Sequence, residues 1–117
     1  MKSVLVRIGV VGAVLLLAGT AFAQDYRARV QGQVVDDSRG ALPGASVTLH
    51  NEGTGVATSR VTDGEGRYLF DFVEPGSYSV TGELQGFRTI AQKPVRVPQR
   101  GDVTVDLMMS VATVAET

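Results

Sequence analysis

The chain has 117 residues, no cysteine, no tryptophan and one histidine, with 11 basic against 12 acidic side chains. That inventory excludes disulfide scaffolds and thiol nucleophiles, and the missing basic surplus argues against nucleic acid as a partner. It leaves room for one small domain whose core is built from valine, leucine, alanine and a few rings.

Residues 1–7 carry Lys2 and Arg7 and no acid, and residues 8–18 are apolar or glycine throughout. Gly19-Thr20-Ala21-Phe22-Ala23 then places small side chains before the polar Gln24. A basic start, an apolar run and a small-x-small site form the layout of a cleaved secretory signal, with the cut between Ala23 and Gln24. The apolar run is shorter than the ~20 residues a spanning helix needs. Export predicts a mature chain of about 94 residues with a net charge of roughly −3. The expected organisation is a signal at 1–23, a leader at 24–28, one domain at 29–109, and a linker or the start of a continuation at 110–117.

From Arg29 onward the hydrophobic period is two. Val30, Gly32 and Val34 alternate with Gln31 and Gln33, and Ala45, Val47 and Leu49 with Ser46 and Thr48. Residues 55–61 show little contrast between faces, as an edge strand would. Tyr68, Phe70 and Phe72 share a phase, as do Tyr78 and Val80. Val95 and Val97 follow Lys93-Pro94, a pair that suits an edge or a bulge. Val103, Val105, Leu107 and Met109 end the series. Turns are marked by Gly40, by Pro43-Gly44, by Asp63-Gly64 with Gly66, by Pro75-Gly76 and by Gly86. Seven short strands at this spacing predict an all-β, antiparallel Greek-key sandwich. Its expected core is Val30, Val34, Val47, Leu49, Tyr68, Phe70, Tyr78, Val80, Val103, Val105 and Leu107.

Five of these motifs, taken in order, resemble carboxypeptidase regulatory-like domains. Val30 to Asp36 and Gly40-Ala-Leu-Pro-Gly-Ala-Ser-Val-Thr-Leu49 are similar to the first two strands of that family. Thr62-Asp63-Gly64-Glu-Gly66-Arg-Tyr68-Leu-Phe70 is similar to its central turn and fourth strand. Pro75-Gly76-Ser-Tyr78-Ser-Val80 and Gly86-Phe87 resemble the steps into the fifth and sixth. The resemblance implies a seven-stranded prealbumin-like sandwich, a fold also grouped with starch-binding-like domains, and an accessory rather than a catalytic role. A signal, this domain and the ending Val111-Ala-Thr-Val-Ala-Glu-Thr117 further resemble the front end of certain bacterial TonB-dependent outer-membrane receptors, Oar-like in type, where the domain precedes a plug and a barrel. That implies the periplasm or outer membrane of a Gram-negative bacterium, and a protein partner such as the receptor's plug or barrel. An exposed edge at residues 88–97 is where a partner strand is expected.

No catalytic, cofactor or metal site is expected. His50 falls where the second strand meets a turn, with no acid and nucleophile arranged around it. Asp36-Asp37 and Asp63-x-Glu65 offer paired oxygens, but aspartate in turns usually caps the local backbone, and a calcium ion wants six to eight oxygens. Lys93, the single lysine beyond the signal, reads as solvated rather than as a partner in a core isopeptide bond. The alternative function is carbohydrate binding. It calls for an exposed aromatic platform, whereas Tyr68, Phe70, Phe72 and Tyr78 all fall on inward phases.

Overall fold

In the computed structural model, which describes residues 27–112, the backbone forms strands and turns without a helix. The strands are β1 (Ala28–Asp36), β2 (Ser46–Asn51), β3 (Ala57–Val61), β4 (Arg67–Val73), β5 (Gly76–Glu83), β6 (Ile90–Val97), β7 (Asp102–Thr104) and β8 (Leu107–Met109). The expected signal peptide, its cut at Ala23–Gln24 and most of the leader and tail lie outside the described residues.

Two sheets face each other. One has the order β4-β1-β7, with β8 also paired to β1; the other has the order β3-β2-β5-β6. The alternation of apolar residues produces this architecture, because every second side chain of a strand points to one face. Val30, Val34, Phe70 and Leu107 from the first sheet meet Val47, Leu49, Tyr78 and Val80 from the second, all buried. Tyr68 packs edge-on to Phe70, with ring centroids 5.8 Å apart. Val105 is buried as well, while Val103 is only partly buried against the cluster.

Several features depart from a simple antiparallel reading. The last run is not one strand, and it runs parallel to β1: Val30 faces Val103 and Val34 faces Leu107, a single register with a break in its middle. The break has a chemical cause. The Gln33 N–H donates to the Asp106 carboxylate at 2.9 Å instead of to a main-chain carbonyl. The Val105 carbonyl turns inward and accepts the buried Tyr68 hydroxyl. Gly32, in the expected inward series, carries no apolar load. A Cβ there would collide with the Val105 carbonyl oxygen, so glycine is what admits the bulge.

The second departure is Phe72. It adopts φ 54°, the register of β1 against β4 shifts at this point, and the ring is 61% exposed. One extra residue on β4 flips the phase, so Val73 enters the core in place of Phe72.

The turns are mixed. Gly44, Gly66, Gly76 and Gly86 take positive φ, whereas Gly40 and Gly64 do not. Beside Pro43-Gly44 a buried side chain ties the turn down: Thr62 Oγ1 donates to the Leu42 carbonyl at 2.6 Å and accepts the Ala45 N–H at 2.9 Å. The β6 edge carries a register shift opposite Lys93-Pro94, and Lys93 is exposed there.

Candidate functional site

β3 is the outermost strand of its sheet and β4 the outermost of the other, and both lie on the same side of the sandwich. The cross-strand register puts Thr58 beside Leu49 and Arg60 beside Val47, so Val56, Thr58 and Arg60 share the face that looks toward the core. Every residue of β3 is nonetheless exposed. The opposite sheet does not reach far enough to cover it. What remains is a cleft of about 520 Å³ with β3 on one wall and Phe70 to Pro75 on the other. Leu49 and Tyr78 form its apolar floor, and Asn51 and Thr54 line one end.

The cleft is fixed at several points. The Tyr78 hydroxyl donates to the Glu74 carbonyl at 2.7 Å, and burial raises its phenol above the ordinary tyrosine range. The Asn51 side-chain oxygen caps the N–H groups of Gly53 and Thr54 at 2.8 and 3.0 Å, holding the β2–β3 turn. The Arg60 guanidinium lies 5.5 Å from the Phe70 ring centroid. Phe72 lines the cleft and also a second hollow near Arg27, whose guanidinium stands 4.8 Å from its ring centroid. The flipped phase at Phe72 therefore places an aromatic ring at the rim, where period-two reading placed it in the core.

The other singled-out residues fall elsewhere. The Asp36 carboxylate accepts from the Ser38 hydroxyl and then from the N–H groups of Gly40 and Ser38, and these bonds hold it below the usual carboxylate range. Asp63 accepts the N–H groups of Arg67 and Glu65, which lower it in the same way. Both side chains thus serve their own turns. His50 Nδ1 lies 3.7 Å from the Glu52 carboxylate on a half-exposed strand end. Among the described residues no group of three or more His, Cys, Asp or Glu side chains is placed to hold a metal ion. The edge at residues 88–97 includes β6, where Pro94 supplies no N–H and the bulge breaks the ladder.

The family model for the carboxypeptidase regulatory-like domain matches residues 29–110. Among solved structures the chain superposes on a candidate carbohydrate-binding protein from Bacteroides uniformis, with a TM-score of 0.59 and 19% identity, covering 74% of this chain and 42% of that one. It also superposes on the dioxygenase domain of a dioxygenase and carbohydrate-binding fusion from Streptomyces, with a TM-score of 0.59, 13% identity, and 80% and 85% of the two chains covered. The Bacillus anthracis TIE protein gives a TM-score of 0.59 and 21% identity, over 73% of this chain and 17% of that one. At these identities the likeness is one of fold. The chain spans less than half of the Bacteroides protein it matches. Among curated protein sequences none matches the chain.

Proposed function

Because the chain belongs to the carboxypeptidase regulatory-like domain family, a regulatory and non-catalytic type, we propose that it is a non-enzymatic binding domain of an exported bacterial-envelope protein. It serves as the N-terminal extension of a TonB-dependent-type receptor system and works by protein contact. The observation that carries this reading is the cleft between β3 and β4, an apolar floor with polar walls left open on one side of the fold. The signal-like layout of residues 1–23 supports export.

The test is to express the full chain with a C-terminal affinity tag in a Gram-negative host. The expected result is a mature N-terminus at Gln24, recovery in the envelope fraction and co-purification with a plug-and-barrel receptor. Retention of Met1 in a cytoplasmic pool would refute it.

A second reading, a carbohydrate ligand in the same cleft, is favoured by the exposed Phe72 ring beside Asn51, Thr54 and Thr58 and by the fold shared with the Bacteroides protein. Titration with a panel of soluble oligosaccharides, followed by amide NMR, decides it. Shifts confined to the cleft residues support the sugar reading; a flat response across the panel removes it.

A further inference from the structure

Most polar groups along the cleft are committed to the fold. The Asn51 side-chain oxygen caps Gly53 and Thr54, the Thr54 hydroxyl accepts the Val56 N–H at 3.3 Å, and the Tyr78 hydroxyl donates to the Glu74 carbonyl. The Asp71 carboxylate accepts the Phe72 N–H at 3.0 Å and stands 3.7 Å from Arg29. A neutral sugar buried here would leave hydroxyls unmatched, which costs affinity.

What the cleft leaves available is apolar surface and two opposite charges. Val56 and Phe72, one on each wall, are 63% and 61% exposed. Phe72 is turned out by a left-handed backbone, a conformation that bulky side chains rarely adopt. Arg60 lines the cleft level with Phe70, its guanidinium against that ring, and Glu74 lines it at the Asn51 end. Among the described residues Arg60 pairs with no carboxylate and Glu74 with no basic side chain. The path from Phe70 to Glu74 is four residues of chain, about 13 Å at the rise of a strand.

We propose that the cleft takes an extended peptide segment of a protein partner, with an acidic side chain, a large apolar side chain two residues along and a basic side chain two residues further. Alternate residues of an extended chain share one face, so all three point into the cleft and together span about 13 Å. The acid pairs with Arg60, the apolar side chain seats between Val56 and Phe72 above Leu49 and Tyr78, and the base meets Glu74. Stacked on the Phe70 ring, the Arg60 guanidinium presents a planar fork that suits a carboxylate. This rests on the protein-contact reading of the cleft and adds the partner's chemistry to it.

The test is amide NMR on the isotope-labelled full chain, titrated to about 2 mM with the synthetic peptide acetyl-Glu-Ser-Phe-Ser-Lys-amide and with a scrambled peptide of the same composition. The expected result is a set of shifts confined to the cleft residues, a Kd on the order of 100 µM, and binding of the scrambled peptide about tenfold weaker. Arg60→Glu weakens the first peptide by about tenfold and turns the preference to acetyl-Lys-Ser-Phe-Ser-Lys-amide. The double variant Arg60→Glu, Glu74→Arg recovers the first peptide, now lying in the reverse direction. Phe72→Gly weakens every peptide by about tenfold while leaving the melting curve in place. Equal binding of the scrambled peptide, or a double variant that stays weak, overturns the inference and leaves the protein-contact reading standing. Cleft shifts from oligosaccharides with none from any peptide overturn both. Silence from every peptide and sugar overturns the inference alone, and receptor co-purification decides the other.

Discussion

Replacing Thr62 by valine gives the sharpest energetic test of the fold. The two side chains have nearly the same shape, so packing changes little, but the hydroxyl is lost. Thr62 is 5% exposed, and its oxygen satisfies both the Leu42 carbonyl and the Ala45 N–H. Valine leaves two buried backbone groups without a partner. Each orphaned group costs about 1–3 kcal/mol, so Thr62→Val should lose roughly 2–6 kcal/mol of a total that is typically about 5–15 kcal/mol. Thr62→Ser keeps both hydrogen bonds and gives up one methyl group, about 1 kcal/mol. The assay is urea unfolding followed by circular dichroism, with the m-value checked for constancy. The thermal midpoint of Thr62→Val should fall by at least about 8 °C on the scale expected for a domain of this size. The ordering matters more than either value, because burial alone ranks valine above serine. If Thr62→Val proves as stable as wild type, or if Thr62→Ser falls further than Thr62→Val, the account of the Pro43-Gly44 turn is wrong.

Gly32→Ala should destabilise by about 2 kcal/mol or more, since the new methyl meets the Val105 main chain rather than a movable side-chain tip; a neutral melting curve would contradict this. Phe72→Gly should leave stability unchanged or raise it by up to about 1 kcal/mol, because it relieves a left-handed aromatic that buries little, whereas Phe70→Ala should lose about 3–5 kcal/mol. Acid titration should show a loss of stability below about pH 4, because Asp36 and Asp63 have folded-state values below the unfolded carboxylate range, so their contribution is complete above it and vanishes as they protonate. The double variant Asp36→Asn, Asp63→Asn should flatten that acid limb. At the alkaline end, burial and then the nearby Asp106 charge raise the Tyr68 phenol, so its contribution is present below about pH 10 and declines above it as the unfolded chain ionises first; Tyr68→Phe should narrow its stability gap to wild type as pH climbs past 10.

The two-sheet class was legible because strand alternation and turn residues are local properties. Val47 and Leu49 announce an inward face through their spacing alone, and the low contrast of residues 55–61 announces an edge, where the structure places β3, since a strand with little to bury carries little pattern. What escaped depends on contacts distant in sequence. Phe72 continues the spacing of Tyr68 and Phe70, and only the shifted register against β1 turns it outward. The parallel pairing of β7 and β8 with β1 follows from the chain path and not from composition. Gly32 looks like a weak core position until the Val105 carbonyl is seen against it. The cleft was hidden for the same reason, because the overhang of β3 past the opposite sheet leaves no mark in the sequence. Thr62 was the nearest to being readable: a threonine directly before Asp63-Gly64 sits where a hydroxyl can hold neighbouring backbone.

The proposed role, binding a protein partner of the envelope, uses the side where β3 and β4 meet. The most direct measurement is photo-cross-linking in intact cells, with a photoreactive residue in place of Thr58 on the cleft wall and a matched one at Arg88, outside the cleft. The expected result is an adduct at position 58, absent at 88, whose mass spectrum identifies the plug or barrel of a TonB-dependent receptor. An exported chain that forms no adduct at position 58, or the same adducts at both positions, would contradict it.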